Sequence, residues 1–254
     1  MNPLVQEAHR RSQEVDQHAG KFFDQVNSVM SWVPAPLEYL VDPIVRGMQL
    51  LNEKLRELWD RVKLLWEQPG DSDRLKQVGE QWVSQVGNAL GDIAGTIGPD
   101  KLRTTIEWEG RAARAYQATV PPQAAGLNSV KDIAGQLRSS LNSLANSIDM
   151  FWMAMGFALA GLVVSIVGAV VAACTLVGIP AAITFIVGGV AATIGVIAAT
   201  VMALESHVNT IETEQSALRQ KIHDLGSTWA VPNTADLADA SVVDGDGSDW
   251  RPGS

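Results

Sequence analysis

Residues 151–204 read FWMAMGFALAGLVVSIVGAVVAACTLVGIPAAITFIVGGVAATIGVIAATVMAL, a run with no charged residue between Asp149 and Glu205. Charged residues make up 19% of the 254-residue chain, so the charge is packed into the two flanks. A helix crosses the hydrocarbon core of a bilayer with roughly 20 apolar residues. The run is long enough for two such helices and far too long for one, and Gly178-Ile179-Pro180 near its middle is a turn signal. It therefore reads as a transmembrane helical hairpin. A hairpin buried in a soluble core is the competing reading, and the weaker one, because uncharged runs of about 18 residues or more usually mark membrane helices.

Small residues add a pattern within the run. Gly161, Ser165, Gly168 and Ala172 fall on one helical stripe, and Gly188, Ala192, Gly195 and Ala199 repeat the same spacing. The rows mirror each other about Pro180, pairing Ala172 with Gly188, Gly168 with Ala192, Ser165 with Gly195 and Gly161 with Ala199. Helices associate in lipid through close van der Waals contact, so the two rows are expected to face each other. Phe151 and Trp152 stand where an interfacial aromatic anchor belongs. The turn carries no Lys or Arg, while Arg138 precedes the run and Arg219 and Lys221 follow it, which favours both termini inside. Cys174, the single cysteine, has no partner for an internal disulfide and is expected to be a buried thiol.

Outside the run no stretch alternates with period two, and the fold class is all-α. A polar helical start leads to WVPAP (32–36), which is a turn or linker because its prolines cannot continue a helix. Asp42 then reads as an N-cap before Pro43, and Leu51, Leu55, Leu58, Val62 and Leu65 make one amphipathic stripe up to Pro69-Gly70. A second stripe, Leu75, Val78, Trp82, Val86, Ala89, Ile93 and Ile97, reaches Gly98-Pro99. A third, Leu127, Val130, Ala134, Leu137, Leu141, Leu144 and Ile148, alternates three and four apart. Beyond the hairpin, Leu204, Ile211, Leu218 and Leu225 recur every seven, with Val208, Gln215 and Ile222 as a second row. These stripes are too apolar to stay exposed, so 43–67, 73–97, 123–148 and 205–225 are expected to pack as one helical bundle.

Between two of the stripes lies IEWEGRAARAY, residues 106–116. A helix arriving at Trp108 must reverse for the third stripe to pack back on the second, and Gly110 supplies the backbone freedom for that reversal. Trp108 is then the apolar peg between the two helices and Tyr116 a second aromatic at the start of the returning one. Helix, WEG, helix, continued as RAARAYQATVPPQAAGLNSV, resembles the WXG family of small helical hairpins handled by type VII secretion in Gram-positive, especially actinobacterial, cells. The resemblance covers 71–150. It implies that Trp108 and Gly110 form the hairpin turn. The family's usual secretion tag, a Tyr followed four positions on by an acidic residue, is absent: Tyr39 is followed by Pro43 and Tyr116 by Val120.

The organisation read from the chain is N-terminal helices over 1–70, a WXG-like helical hairpin over 71–150, the transmembrane hairpin over 151–204, a further helix over 205–226 and an acidic, disordered tail over 227–254. A formal charge of −9 argues against a phosphate-binding surface, so no nucleic-acid partner is expected. His9, His18, His207 and His223 lie at no metal-ligand spacing, and no nucleophile elbow or phosphate loop is present. No catalytic, cofactor or metal site is expected, and the protein is read as no enzyme. The N-terminus has no apolar core of the secretory type and no lipidation signal. The expected partners are a lipid bilayer and, through the heptad faces, another helical protein or a second copy. The leading reading is a non-enzymatic membrane protein of the type VII secretion system, substrate or accessory component, located in the bacterial cell membrane. The alternative is a secreted α-helical pore-forming effector whose apolar hairpin inserts in a target membrane.

Overall fold

The computed structural model describes residues 2–98, 100, 101 and 111–226. Trp108, Gly110 and the acidic tail 227–254 lie outside them. Among the described residues there are helices and turns and no strand, so the protein is all-α.

Helix α1 (Pro3–Met30) opens on an Asn2 cap whose side-chain oxygen accepts the Leu4 N–H, with Pro3 in the first turn where its missing N–H costs nothing. It stops ahead of Val33-Pro34, since the residue before a proline is pushed out of helical geometry. A 3₁₀ helix, Ala35–Leu40, leads directly into α2 (Val41–Glu67), so Asp42 lies within the first turn of α2 and is not its cap. Helix α2 ends before Gln68-Pro69 by the same rule, and Gly70 turns the chain at φ +72°. A helical rod follows as α3 (Ser72–Gln81), one π turn (Trp82–Gly87) and α4 (Asn88–Thr96). Two long helices complete the fold, α5 (Arg111–Ala172) and α6 (Ile179–Leu225), and α5 runs unbroken through Pro121 and Pro122.

Contacts group the chain into two units, Met1–Asp73 with Leu144–Asn209, and Arg74–Ser143 with Thr210–Ser254. The first holds α1, α2, the end of α5 and the start of α6; the second holds most of the α3–α4 rod, the start of α5 and the end of α6. The single bundle expected from four stripes is therefore corrected. The α2 stripe packs in the first unit with the apolar hairpin, and the other stripes meet mainly in the second.

Two packing seams differ from the expected rows. In α1, Val5, Ala8, Ser12, Val15, Ala19, Phe22, Val26 and Val29 are buried, spaced alternately three and four apart. This is a heptad seam of valines and Phe22 interleaved with Ala8, Ser12 and Ala19, on a helix whose other faces are polar. In the α3–α4 rod, Trp82 and Ile93 are exposed and the rod instead approaches α5 through glycines. A Cβ on Gly87 would lie 3.2 Å from Ala134 Cβ, and one on Gly79 3.2 Å from the Arg138 backbone. Trp82 already points outward where the π turn begins, and the turn then shifts the phase of the rod, so that beyond it Ile93 lies off the face that carries Gly79 and Gly87. Arg138 pairs with Glu80 at 3.6 Å, and Ser140 hydrogen-bonds Glu214. Of the two rows on the last helix, Ile211 and Leu218 are buried, whereas Val208 and Ile222 are exposed.

Candidate functional site: an apolar hairpin under two amphipathic helices

The arms of the hairpin are the end of α5 and the start of α6, joined through residues 173–178. Gly178 is obligatory there, because a Cβ would sit 2.1 Å from the Ala172 carbonyl oxygen. The arms pack through bulky side chains: Leu159, Leu162 and Ile166 from one, Ile186, Val190 and Ile197 from the other, all buried. They come close at Gly189, where a Cβ would lie 3.2 Å from Ser165 Cβ and 3.4 Å from Leu162 Cδ1. Thr193 hydroxyl, buried between the arms, donates to Gly189 O at 2.9 Å and reaches Ala158 O at 3.5 Å.

The small-residue rows do not face each other. Gly161, Gly168, Ala172, Gly188, Ala192, Gly195 and Ala199 are exposed and Ser165 is half-buried. A Cβ on Gly161, Gly168, Gly188 or Gly195 would meet nothing within 4 Å, and Ser165 lies against Gly189 in place of Gly195. The reason is competition for area: each arm packs on its partner arm and on the helices beside it, bulky faces bury more apolar surface in both contacts, and the Gly/Ala rows are left outermost.

Helices α1 and α2 belong to the same apolar cluster as the arms. Near the turn, Gly47 lets α2 settle on the second arm, since a Cβ there would lie 3.0 Å from Ile183 Cγ2. At the opposite end, Trp66 stacks on Trp152 with centroids 5.0 Å apart, His9 meets Trp66 edge-on, and the Trp152 indole N–H donates to Pro69 O at 2.7 Å. A polar clasp closes the same end. Asn2 Nδ2 donates to Ser72 Oγ at 2.7 Å and to Asp149 Oδ1 at 2.6 Å, and Ser72 Oγ donates to Asp149 Oδ1 at 2.6 Å. Phe151 and Trp152, expected as interfacial anchors, are instead 5% and 2% exposed. The same indole that suits an interface also suits a core once a carbonyl reaches its N–H.

The outward faces of α1 and α2 are charged. Arg10 and Arg11 bridge Glu7 and Glu14, and Lys54 and Arg61 flank Glu57. The hydrogen bond from Arg10 holds the Glu7 carboxyl below its usual range, and that from Lys54 does the same for Glu57. Asp16 moves the other way: burial of part of its surface pushes its carboxyl up, against the lowering effect of the Trp59 hydrogen bond.

The far side of the hairpin is bare. Phe157, Val164 and Val171 are each more than 70% exposed, and the most apolar stretches of α5 and α6 are only 28% and 33% buried. An open groove of about 790 Å³ runs there between Ser165, Phe185, Gly188 and Ala192. Both helices are long and apolar enough to cross a membrane.

Cys174, expected to be buried, is exposed in the turn, where its thiol donates to the Val170 carbonyl at 3.6 Å. Tyr116 is exposed on the first turns of α5. Among the described residues no three His, Cys, Asp or Glu side chains converge as a metal site would require. No protein-family model, curated protein or solved structure matches the chain.

Proposed function

We propose that this is a non-enzymatic, membrane-active helical protein that carries an apolar hairpin against a two-helix cover and inserts the hairpin in a bilayer when the cover parts from it. One observation carries the reading: the hairpin is packed on one side by helices whose outer faces hold Glu7, Arg10, Arg11, Glu14, Lys54, Glu57 and Arg61, and is bare on the other. A charged side chain at the centre of a bilayer costs about 2.5–3.5 kcal/mol on insertion scales. The arms therefore cannot span a membrane with α1 and α2 still beside them. This favours conditional insertion, as in a pore-forming effector, over a hairpin lodged permanently in the producing cell's membrane.

The WXG-like stretch 71–150 supports type VII secretion as the system that handles the protein, with Trp108 and Gly110 as the hairpin turn. The exposed Val208 and Ile222 supply a heptad row for a helical partner or a second copy. The test is to mix the purified full chain with dye-loaded vesicles and to fractionate producing cells. A soluble protein that releases dye and becomes resistant to carbonate extraction supports the reading. Protein confined to the carbonate-resistant membranes of the producing cell contradicts the removable cover, and a soluble protein that leaves vesicles intact contradicts membrane action.

A further inference from the structure

The contacts that seat α2 on the hairpin also fix which ends lie together. Helix α2 runs from Gly47, beside Ile183 just past the hairpin turn, to Trp66, beside Trp152 at the hairpin's other end. Helix α1 is antiparallel to it, with His9 near Trp66 and Phe23, Val26 and Met30 lining a groove shared with Ile44 and Met48. The connection between α1 and α2 and the turn at 173–178 therefore share one end of this unit, opposite the clasp of Asn2, Ser72 and Asp149.

That end differs in character from the rest of the cover. No charged residue occurs from Gln25 to Leu37, and the nearest charges on the helices of the cover are Asp24, Glu38, Asp42 and Arg46. Val33, Leu37 and Leu40 turn toward the core, while Trp32 and Tyr39 are 67% and 70% exposed, with Val177 of the hairpin turn 66% exposed at the same end. Two amphipathic aromatic rings in water on an almost uncharged tip are what the headgroup region of a bilayer accommodates, with ring bodies among acyl carbons and polar edges hydrated. Acidic groups outnumber basic ones near the tip, so anionic headgroups add nothing to the attraction.

We infer that the end formed by residues 31–40 and 173–178 is the surface through which the protein first meets a bilayer, with Trp32 and Tyr39 seated at headgroup level, and that zwitterionic lipid suffices. The inference rests on the membrane action proposed above and adds the direction of approach. From that position the hairpin enters turn first. The arm from Phe151 to Ala172 is roughly 33 Å long at 1.5 Å per residue, matching the hydrocarbon thickness of about 30 Å.

The exposed Cys174 makes the test direct. The full chain, labelled at Cys174 with an environment-sensitive fluorophore, is titrated with phosphatidylcholine vesicles. The label is expected to leave water on binding, while a label on Gln68→Cys in a Cys174→Ser background, at the clasp end, stays hydrated. Trp32→Ala with Tyr39→Ala is expected to weaken vesicle binding by about tenfold or more with an unchanged melting temperature, since both rings are exposed. Vesicle binding that is unaffected by the double substitution and leaves the Cys174 label wet overturns the inference while membrane action stands. Loss of water at Cys174 on raising protein concentration without vesicles also overturns it, because a second copy then covers the tip. A wild-type chain that neither binds nor permeabilises vesicles removes the membrane reading itself.

Discussion

Trp152 joins three segments at once: it stacks on Trp66 of α2, meets Phe151 edge-on and donates to the Pro69 carbonyl before Gly70. Trp152→Ala is expected to cost about 3–5 kcal/mol, as for a large aromatic removed from a packed interior. Trp152→Phe keeps most of the stack and loses one hydrogen bond, for about 1 kcal/mol. Urea unfolding of both variants checks the order. Asp16 gives a pH signature of definite sign. Its folded pKa is raised, so the fold favours the protonated form, and ionisation works against stability as pH rises through that pKa. Asp16→Asn should therefore raise the melting temperature at neutral pH, with the gain fading as pH falls through the raised value. Glu7 is the opposite case: its lowered pKa gives stability above the ordinary carboxylate range that is lost on acidification, so Glu7→Gln should lower the melting temperature at neutral pH and converge with wild type in acid. Which aromatic is exposed and which is core was not legible from position. Trp152 is the second residue of the apolar run and is core, whereas Trp32 lies in a proline-rich connection and is exposed.

At the scale of elements, the helical periods and most stops were legible, because Pro69-Gly70 and Gly178 act locally on the backbone whatever the tertiary context. Which face of a helix pairs was not. Glycines make the close contacts of the α3–α4 rod, yet small residues lie outermost on the hairpin arms, where bulky faces are shared among several neighbours. Pairing by residue size assumes one partner per helix, and these arms have more than one. A disulfide test separates the two registers. Ser165→Cys with Gly189→Cys, in a Cys174→Ser background, should cross-link on oxidation, because those Cβ positions lie 3.2 Å apart and the arms need ease apart by only a few tenths of an ångström to reach the disulfide range of roughly 3.5–4.5 Å. Gly168→Cys with Ala192→Cys should remain reduced, as both positions face outward. Cross-linking of the second pair alone in the lipid-free protein would restore the mirrored register.

For the whole molecule, the sequence divides naturally at composition changes, near 150 and 204, but the helices do not stop there. Helix α5 carries its heptads into the apolar arm without a break, and α6 does the reverse, so each contributes to both contact units. Composition reports the solvent a segment prefers, whereas contacts report what covers it, and the amphipathic cover on the hairpin is visible only in the second. The account turns on that cover leaving the hairpin before the arms enter a bilayer. Gly47 and Ile183 allow the step to be locked, because a Cβ at Gly47 lies 3.8 Å from Ile183 Cβ, within disulfide reach. The measurement is dye release from vesicles by Gly47→Cys with Ile183→Cys in a Cys174→Ser background, oxidised and then reduced. The account predicts no release from the oxidised protein and recovery on reduction; equal release from both forms would contradict it.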